Sequence, residues 1–107
     1  MEYKTVSQNK TFAMIDKIVQ ITEIGKYYCV CRFSSGIKKK LNIEPLIKAH
    51  AGMITKDLFD FSIFSQVNIG DFGQLYWSDA ATMKDENGAL IPCEYDISSE
   101  YVYHHGE

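Results

Sequence analysis

The run from Lys26 to Ile43, KYYCVCRFSSGIKKKLNI, constrains this chain more than any other. Tyr27, Cys29, Cys31 and Phe33 alternate with Tyr28, Val30 and Arg32, and an aromatic and β-branched run at period two reads as a strand. After Ser34-Ser35-Gly36 the run Ile37 to Ile43 alternates again in part. A three-residue hairpin loop is commonly a type I turn closed by a left-handed residue. Gly36 takes that conformation with no Cβ to clash. This loop sets Phe33 opposite Ile37, Cys31 opposite Lys39, Cys29 opposite Leu41 and Tyr27 opposite Ile43. One face then holds Tyr27, Cys29, Cys31, Phe33, Ile37, Leu41 and Ile43, and the other holds Arg32, Lys38 and Lys40. A two-residue loop would put Phe33 opposite Lys38 and mix the faces, which a half-buried sheet does not tolerate. Lys39 is the misfit on the apolar face. It is expected near an edge, with its stem packed and its ammonium in water.

The chain has 107 residues, the size of one domain. An ordered core is expected over about 13–103, with residues 1–10 and 104–107 frayed. Apolar residues make up 46% and aromatic residues 13%, which excludes a disordered chain. No apolar run approaches the ~20 residues of a membrane-spanning helix, so no membrane association is expected. Met1-Glu2-Tyr3-Lys4 opens no apolar signal region, and the expected location is the cytoplasm. Cys29 and Cys31 share a strand face, where a disulfide between them would be strained. C-x-C with only Cys93 in addition falls short of a four-ligand zinc site. Free thiols acting as small hydrophobes are the plainer expectation.

The net charge of −3 hides an asymmetry. Residues 1–52 carry nine Lys/Arg and four Asp/Glu, and residues 53–107 carry two and ten. The two halves either lie side by side and neutralise each other, or they form a basic and an acidic pole that steers a charged partner.

Elsewhere the pattern is weaker. Residues 14 to 24 read as a strand from their Ile, Val and Thr content, with Gly25 turning into the hairpin. Together they make an antiparallel meander. Pro45 opens a short helical turn over 45–51, with Leu46 and Ile47 facing the core and Gly52 closing it. Asp60 caps a segment from Phe61 to Ser65, with Phe61 and Phe64 on one side. Val67 to Ser78 repeats the hairpin grammar. A three-residue loop closed by Gly73 sets Ile69 opposite Leu75 and Val67 opposite Trp77, with Asn68 and Tyr76 on the other face. Trp77 is the core anchor, and its indole N–H needs an acceptor. Asp85-Glu86-Asn87-Gly88 is a turn, and Leu90 to Cys93 is a short extended piece that Pro92 marks as an edge. Asp96 to Tyr103 ends in a helical turn with Asp96 or Ser98 as its cap. The fold class is therefore α+β: an antiparallel meander and a second hairpin packed with one or two short helices.

Chemistry-bearing motifs are scarce. His104 and His105 lie in an expected tail, where a vicinal pair is not held for metal. No G-x-S-x-G surrounds a serine, and no Gly-Lys-Ser/Thr follows Gly70, Gly73 or Gly88. Asp85 to Gly88 lacks the alternating ligands of a calcium loop. Asp79 and Asp85 cannot be placed across a cleft from spacing. No catalytic, cofactor or metal residue is assigned, and no cofactor is expected. The candidate contact face for a protein or a nucleic acid is Tyr28, Arg32, Lys38 and Lys40, a basic hairpin face. Such residues also guard a strand against edge pairing with other chains.

The order of these motifs resembles a known family. A strand and a hairpin through F-S-S-G lead to Glu44-Pro45-Leu46. There follow Leu58-x-Asp60-x-x-x-Phe64-x-x-Val67, then Gly73, Leu75 and Trp77, and a closing Asp96-Ile97-Ser98-x-Glu100-Tyr101-x-Tyr103. This pattern, over about residues 13 to 103, is similar to the small bacterial and phage domain-of-unknown-function family 2442. The resemblance implies an α+β domain with antiparallel strands and carries no catalytic residues. It also implies a partner encoded nearby, in an arrangement similar to toxin–antitoxin pairs. The expected function is thus a non-enzymatic protein-interaction or regulatory module. A nucleic-acid-binding module on the basic face is the alternative, and a ligand-binding or enzymatic pocket beside Trp77 and Tyr76 is a third reading. Homo-oligomerisation through strand edges is a further option.

Overall fold

A computed structural model describes residues 16–107. Along the chain come β1 (Ile18–Gly25), β2 (Tyr28–Phe33), β3 (Lys38–Asn42), α1 (Glu44–Ala49), α2 (Phe61–Phe64), β4 (Asn68–Ile69), β5 (Leu75–Lys84), β6 (Leu90–Ile97) and α3 (Ser99–His105). Strands β1–β2–β3 form one antiparallel sheet and β4–β5–β6 a second. Side chains from both sheets and all three helices bury into one core cluster. This is the expected small α+β architecture.

The first sheet keeps the expected register. Cys29 faces Leu41, Cys31 faces Lys39 and Arg32 faces Lys38. The loop is closed by Phe33 N–H to Ile37 O at 2.8 Å and Gly36 N–H to Phe33 O at 2.8 Å, with Gly36 at φ 93°. Cys29, Cys31, Phe33, Leu41 and Ile43 are buried, while Ile37 lies past the core and is 42% exposed. Tyr27 departs from expectation. It is a turn residue at φ 67°, not the first residue of β2. Gly25 ends β1 and the turn falls at Lys26-Tyr27; a Cβ at Gly25 would run into the Tyr28 ring.

Strand β1 starts at Ile18, later than expected, and residues 14 and 15 lie outside the described residues. Asp16 fastens its entry. Its carboxylate accepts from Ser34 Oγ at 2.8 Å, from Ser35 N–H at 2.9 Å and from Ser35 Oγ. Burial pushes this carboxyl up, but the Ser35 and Ser34 hydrogen bonds together outweigh it and hold Asp16 below its ordinary value.

Pro45 sits in the first turn of α1, where its missing N–H costs nothing. Ile47 is buried and Leu46 packs at the core's rim, but the helix ends at His50, before Gly52. Asp60 caps α2 by accepting from Ser62 N–H at 3.0 Å. Phe64 of this helix is buried and Ile63 packs at the core's rim, whereas Phe61 is 50% exposed.

In the second sheet Ile69 faces Leu75 and Asn68 faces Tyr76, as expected. Val67 is buried just outside the ladder. Gly70 N–H reaches Gln74 O at 2.8 Å and Gly73 N–H reaches Gly70 O at 2.9 Å. The same two bonds recur at the third loop: Asp85 N–H to Ala89 O at 2.9 Å and Gly88 N–H to Asp85 O at 3.0 Å. The Asp85–Gly88 turn therefore joins two long strands, and the piece from Leu90 to Cys93 is the start of β6. Pro92 does lie on a sheet edge.

What hides this hairpin is a break in its ladder. Trp77 faces Tyr95, and the next pair is Ala81 with Cys93. Strand β5 thus spends four residues where β6 spends two, and Asp79 sits in the bulge at φ 51°. Two extra residues preserve parity, so Trp77 and Ala81 still share the core face.

Helix α3 is capped by Ser98, whose Oγ accepts from Tyr101 N–H at 3.0 Å, while Asp96 belongs to β6. The expected frayed tail is built in. His104 and His105 complete α3, and Glu107 N–H donates to Lys40 O at 2.9 Å on the outer edge of β3.

Candidate functional site

Alternation along β2 and β3 sends Cys29, Cys31, Phe33 and Leu41 inward, and therefore sends Tyr28, Arg32, Lys38 and Lys40 outward. The structure brings all four candidate residues onto one sheet face. Arg32 and Lys38 are directly opposite, a like-charge pair that costs some stability. The strain is eased because Arg32 turns toward β1 and donates from Nε to Gln20 Oε1 at 3.0 Å.

Lys40 Nζ lies 4.3 Å from the centroid of the Tyr28 ring, a cation–π contact. Tyr28 Oη in turn donates to the Glu23 carboxylate, and this hydrogen bond raises the phenol above its ordinary value. Glu23, Tyr28 and Lys40 thus form a row across the three strands. Lys39, the misfit, sits half-buried with its ammonium 5.0 Å from the centroid of Tyr103.

The sequence reading missed the lower border of this face. Lys26, Tyr28, Lys40, Asn42, Glu44 and Glu107 line an open depression of about 390 Å³. Lys26 could have been found, since it begins the turn next to Tyr28. Glu107 could not, because it arrives only through the backbone bond to Lys40. A hint existed in Gly106, whose missing Cβ leaves room for Lys39 and the Lys40 carbonyl.

Among the described residues the ion pair is Lys48 Nζ to Glu44 Oε2 at 3.4 Å, within α1, and none joins the two halves. The outer face of the first sheet is basic. Strand β6 turns Glu94 and Asp96 outward from the second.

A second depression, of about 340 Å³, lies beside Trp77 and is lined by Lys56, Ile63, Gln66, Asn68 and Ser78. Tyr76 is not among its walls, because it points to the opposite face of β5 from Trp77. The polar groups there are engaged internally. Lys56 Nζ donates to Ser78 O at 2.9 Å, Gln66 Nε2 to Ser62 O at 3.1 Å and Asn68 Nδ2 to Gln66 O at 3.0 Å. The indole of Trp77 donates to Phe64 O at 2.8 Å, which supplies the acceptor its burial requires.

The remaining reactive groups serve packing. Burial pushes the Cys29 thiol up to about 12, with the neighbouring Cys31 adding to the effect, and pushes Cys31 up to about 11. Both are free, as is the half-buried Cys93. His50 Nδ1 shares a hydrogen bond of 2.8 Å with Tyr95 Oη. His105 stacks on Tyr101 with ring centroids 4.1 Å apart, and His104 meets Tyr103 edge-on at 5.5 Å. Among the described residues no three His, Cys, Asp or Glu side chains gather where a metal ion could be held. No helix of the described residues is long and apolar enough to cross a membrane. No family model, curated protein or solved structure matches the chain.

Proposed function

We propose that this protein is a non-enzymatic interaction module that receives an acidic protein partner on the outer face of β1–β2–β3. One observation carries the reading: Arg32, Lys38 and Lys40 share one sheet face, and none forms an ion pair with a described carboxylate. Tyr28 adds a half-buried ring among them, and tyrosine is a frequent contact anchor. The resemblance to family 2442 points to the product of an adjacent gene as the partner, in an arrangement similar to a toxin and its antitoxin. Three free thiols, two of them deeply buried, support placing the chain in the reducing cytoplasm.

Nucleic acid is the second reading, on the same cations. It is the weaker one, because the chain is acidic overall, at −3, and three cations on one hairpin face neutralise few phosphates. The test is co-expression with the adjacent gene product, followed by size-exclusion chromatography. A complex that forms with the native chain and weakens about tenfold or more in Lys38→Glu/Lys40→Glu is expected. A complex indifferent to that double reversal, or a lone monomer, overturns the reading. Salt-sensitive binding of a DNA or RNA duplex by the same face would put the nucleic-acid reading in its place.

A further inference from the structure

We propose that the outer end of the β5–β6 hairpin is a second docking surface, one that takes a basic amphipathic helix of another protein. This goes beyond the reading above, because it concerns the other sheet and a partner of opposite charge.

The two extra residues in β5 keep the core face of the hairpin continuous past the core. That face runs Trp77 and Tyr95, then Ala81 and Cys93, then Met83 and Ile91. Its exposure rises along the way. Trp77 and Ala81 are 2% and 1% exposed, whereas Met83 and Ile91 are 52% and 40% exposed. The pattern that buries the first two pairs is therefore carried one pair too far for this chain's own core. Leu90, paired with Lys84, is 65% exposed on the opposite face of the tip, and Met53 is 42% exposed.

Met53 belongs to the same structure. Thr55 N–H donates to Ala80 O at 2.8 Å and Thr82 N–H to Met53 O at 2.9 Å, so residues 53–55 brace the root of the arm through a single bridge of Ile54 with Ala81. The arm is thus braced at its base and apolar at its end. Clustered exposed apolar side chains mark interaction sites, and methionines adapt their shape to a helix laid across them.

Charge decides the occupant. Asp85 and Glu86 stand at the tip beyond Met83, and Asp79 lies in the bulge before it, whereas Lys84 and Glu94 alternate onto the opposite face. A second copy packing arm to arm would bring the carboxylates of the tip and the bulge together. A helix with an apolar stripe and flanking lysines or arginines satisfies both the apolar end and the acidic rim.

The test is a titration of the native chain followed by amide NMR shifts, in about 0.15 M salt. The probe is a synthetic leucine–lysine amphipathic peptide of about 18 residues, long enough to form a helix on contact. A scrambled peptide of equal composition is the control. Shifts confined to Met53 and the stretch 81–93, with a Kd at least about tenfold tighter than the scrambled peptide's, are expected. Met83→Ser/Ile91→Ser should abolish the difference between the peptides. Glu86→Lys, on an exposed position at the tip, should weaken binding with the fold intact. Lys38→Glu/Lys40→Glu should leave it unchanged, which separates this surface from the basic sheet face. Equal binding of both peptides, shifts centred elsewhere, or an arm-to-arm dimer abolished by Met83→Ser/Ile91→Ser would each overturn the proposal.

Discussion

The two sheets use the same turn and end differently. In the first, Ser34-Ser35-Gly36 closes a hairpin whose strands stop where the core stops. In the second, Glu86-Asn87-Gly88 closes a hairpin whose strands run on past the core. The turn fixes register and nothing more; how far a strand runs depends on what covers it. The first sheet is a lid with a polar outer face, and the second is part lid, part arm. They are joined by a line of rings. Tyr27 meets Phe64 with centroids 6.4 Å apart, Phe64 meets Trp77 at 5.6 Å and Trp77 meets Tyr95 at 5.9 Å.

The largest effect is expected from removing the anchor of the second sheet. Trp77→Ala should cost about 3–5 kcal/mol, and hydrogen exchange should show both sheets losing protection together, because they share one core. Persistent protection of Cys29 and Cys31 amides after β5 and β6 open would show two independent sheets instead.

Alkaline pH tests the first sheet next. The thiols of Cys29 and Cys31 are raised from 9.0 to about 12 and about 11 by burial. The unfolded chain ionises first, so the stability these groups contribute is complete below pH 9 and is lost as pH rises through 11 to 12. A rise from 9.0 to about 12 at Cys29 is on the order of 4 kcal/mol. Denaturant midpoints should fall over that window, more steeply in the native chain than in Cys29→Ala. A native chain that titrates no more steeply than Cys29→Ala would mean that the thiol is not desolvated. Tyr95, raised to about 12 by burial, adds to the fall above pH 10 in both proteins.

The first sheet was largely legible in the sequence. Its alternation is unbroken from Tyr28 to Phe33, and a glycine at the third loop position left one register that keeps the faces apart. Phe33, Cys29 and Leu41 all fall where that register puts them. The candidate face followed from the same parity, so Tyr28, Arg32, Lys38 and Lys40 assembled as expected. The arm was not legible. The stretch Ser78-Asp79-Ala80 has no strand pattern, since a bulge with a left-handed aspartate is set by tertiary pairing with Thr55 and β6 rather than by local preference. Glu107 was missed for the same reason: a backbone bond to a sheet edge leaves no trace in side-chain pattern.

The three loop glycines allow a finer comparison. Gly36, Gly73 and Gly88 all have positive φ, at 93°, 77° and 82°. Alanine in that region costs about 1–2 kcal/mol. Gly36 and Gly88 face open space, whereas a Cβ on Gly73 would press on the Cβ of Lys17 and the backbone of Ile18. Gly73→Ala should therefore lose about 1–3 kcal/mol more than the other two through overpacking. Equal thermal shifts for all three variants would show that the second loop does not abut β1.

The smallest effect is the most informative about the arm. Tyr27 and Asp79 are both non-glycine residues in the left-handed region, at φ 67° and 51°. Such a conformation costs about 1–2 kcal/mol, and something must hold each residue there. For Tyr27 the compensation is visible: its ring meets Phe59 edge-on at 5.2 Å and also meets Phe64. Asp79 is exposed, and its side chain has no described hydrogen bond. It is held by the ladder on either side of the bulge rather than by its own side chain. Glycine should thus act oppositely at the two sites. Tyr27→Gly should destabilise through lost aromatic packing. Asp79→Gly should stabilise by about 0.5–1 kcal/mol, since relief of strain outweighs the looser unfolded chain. A destabilised Asp79→Gly would mean that the carboxylate itself supports the bulge. The arm's position, and with it the exposure of Met83 and Ile91, would then depend on a charge rather than on backbone pairing alone.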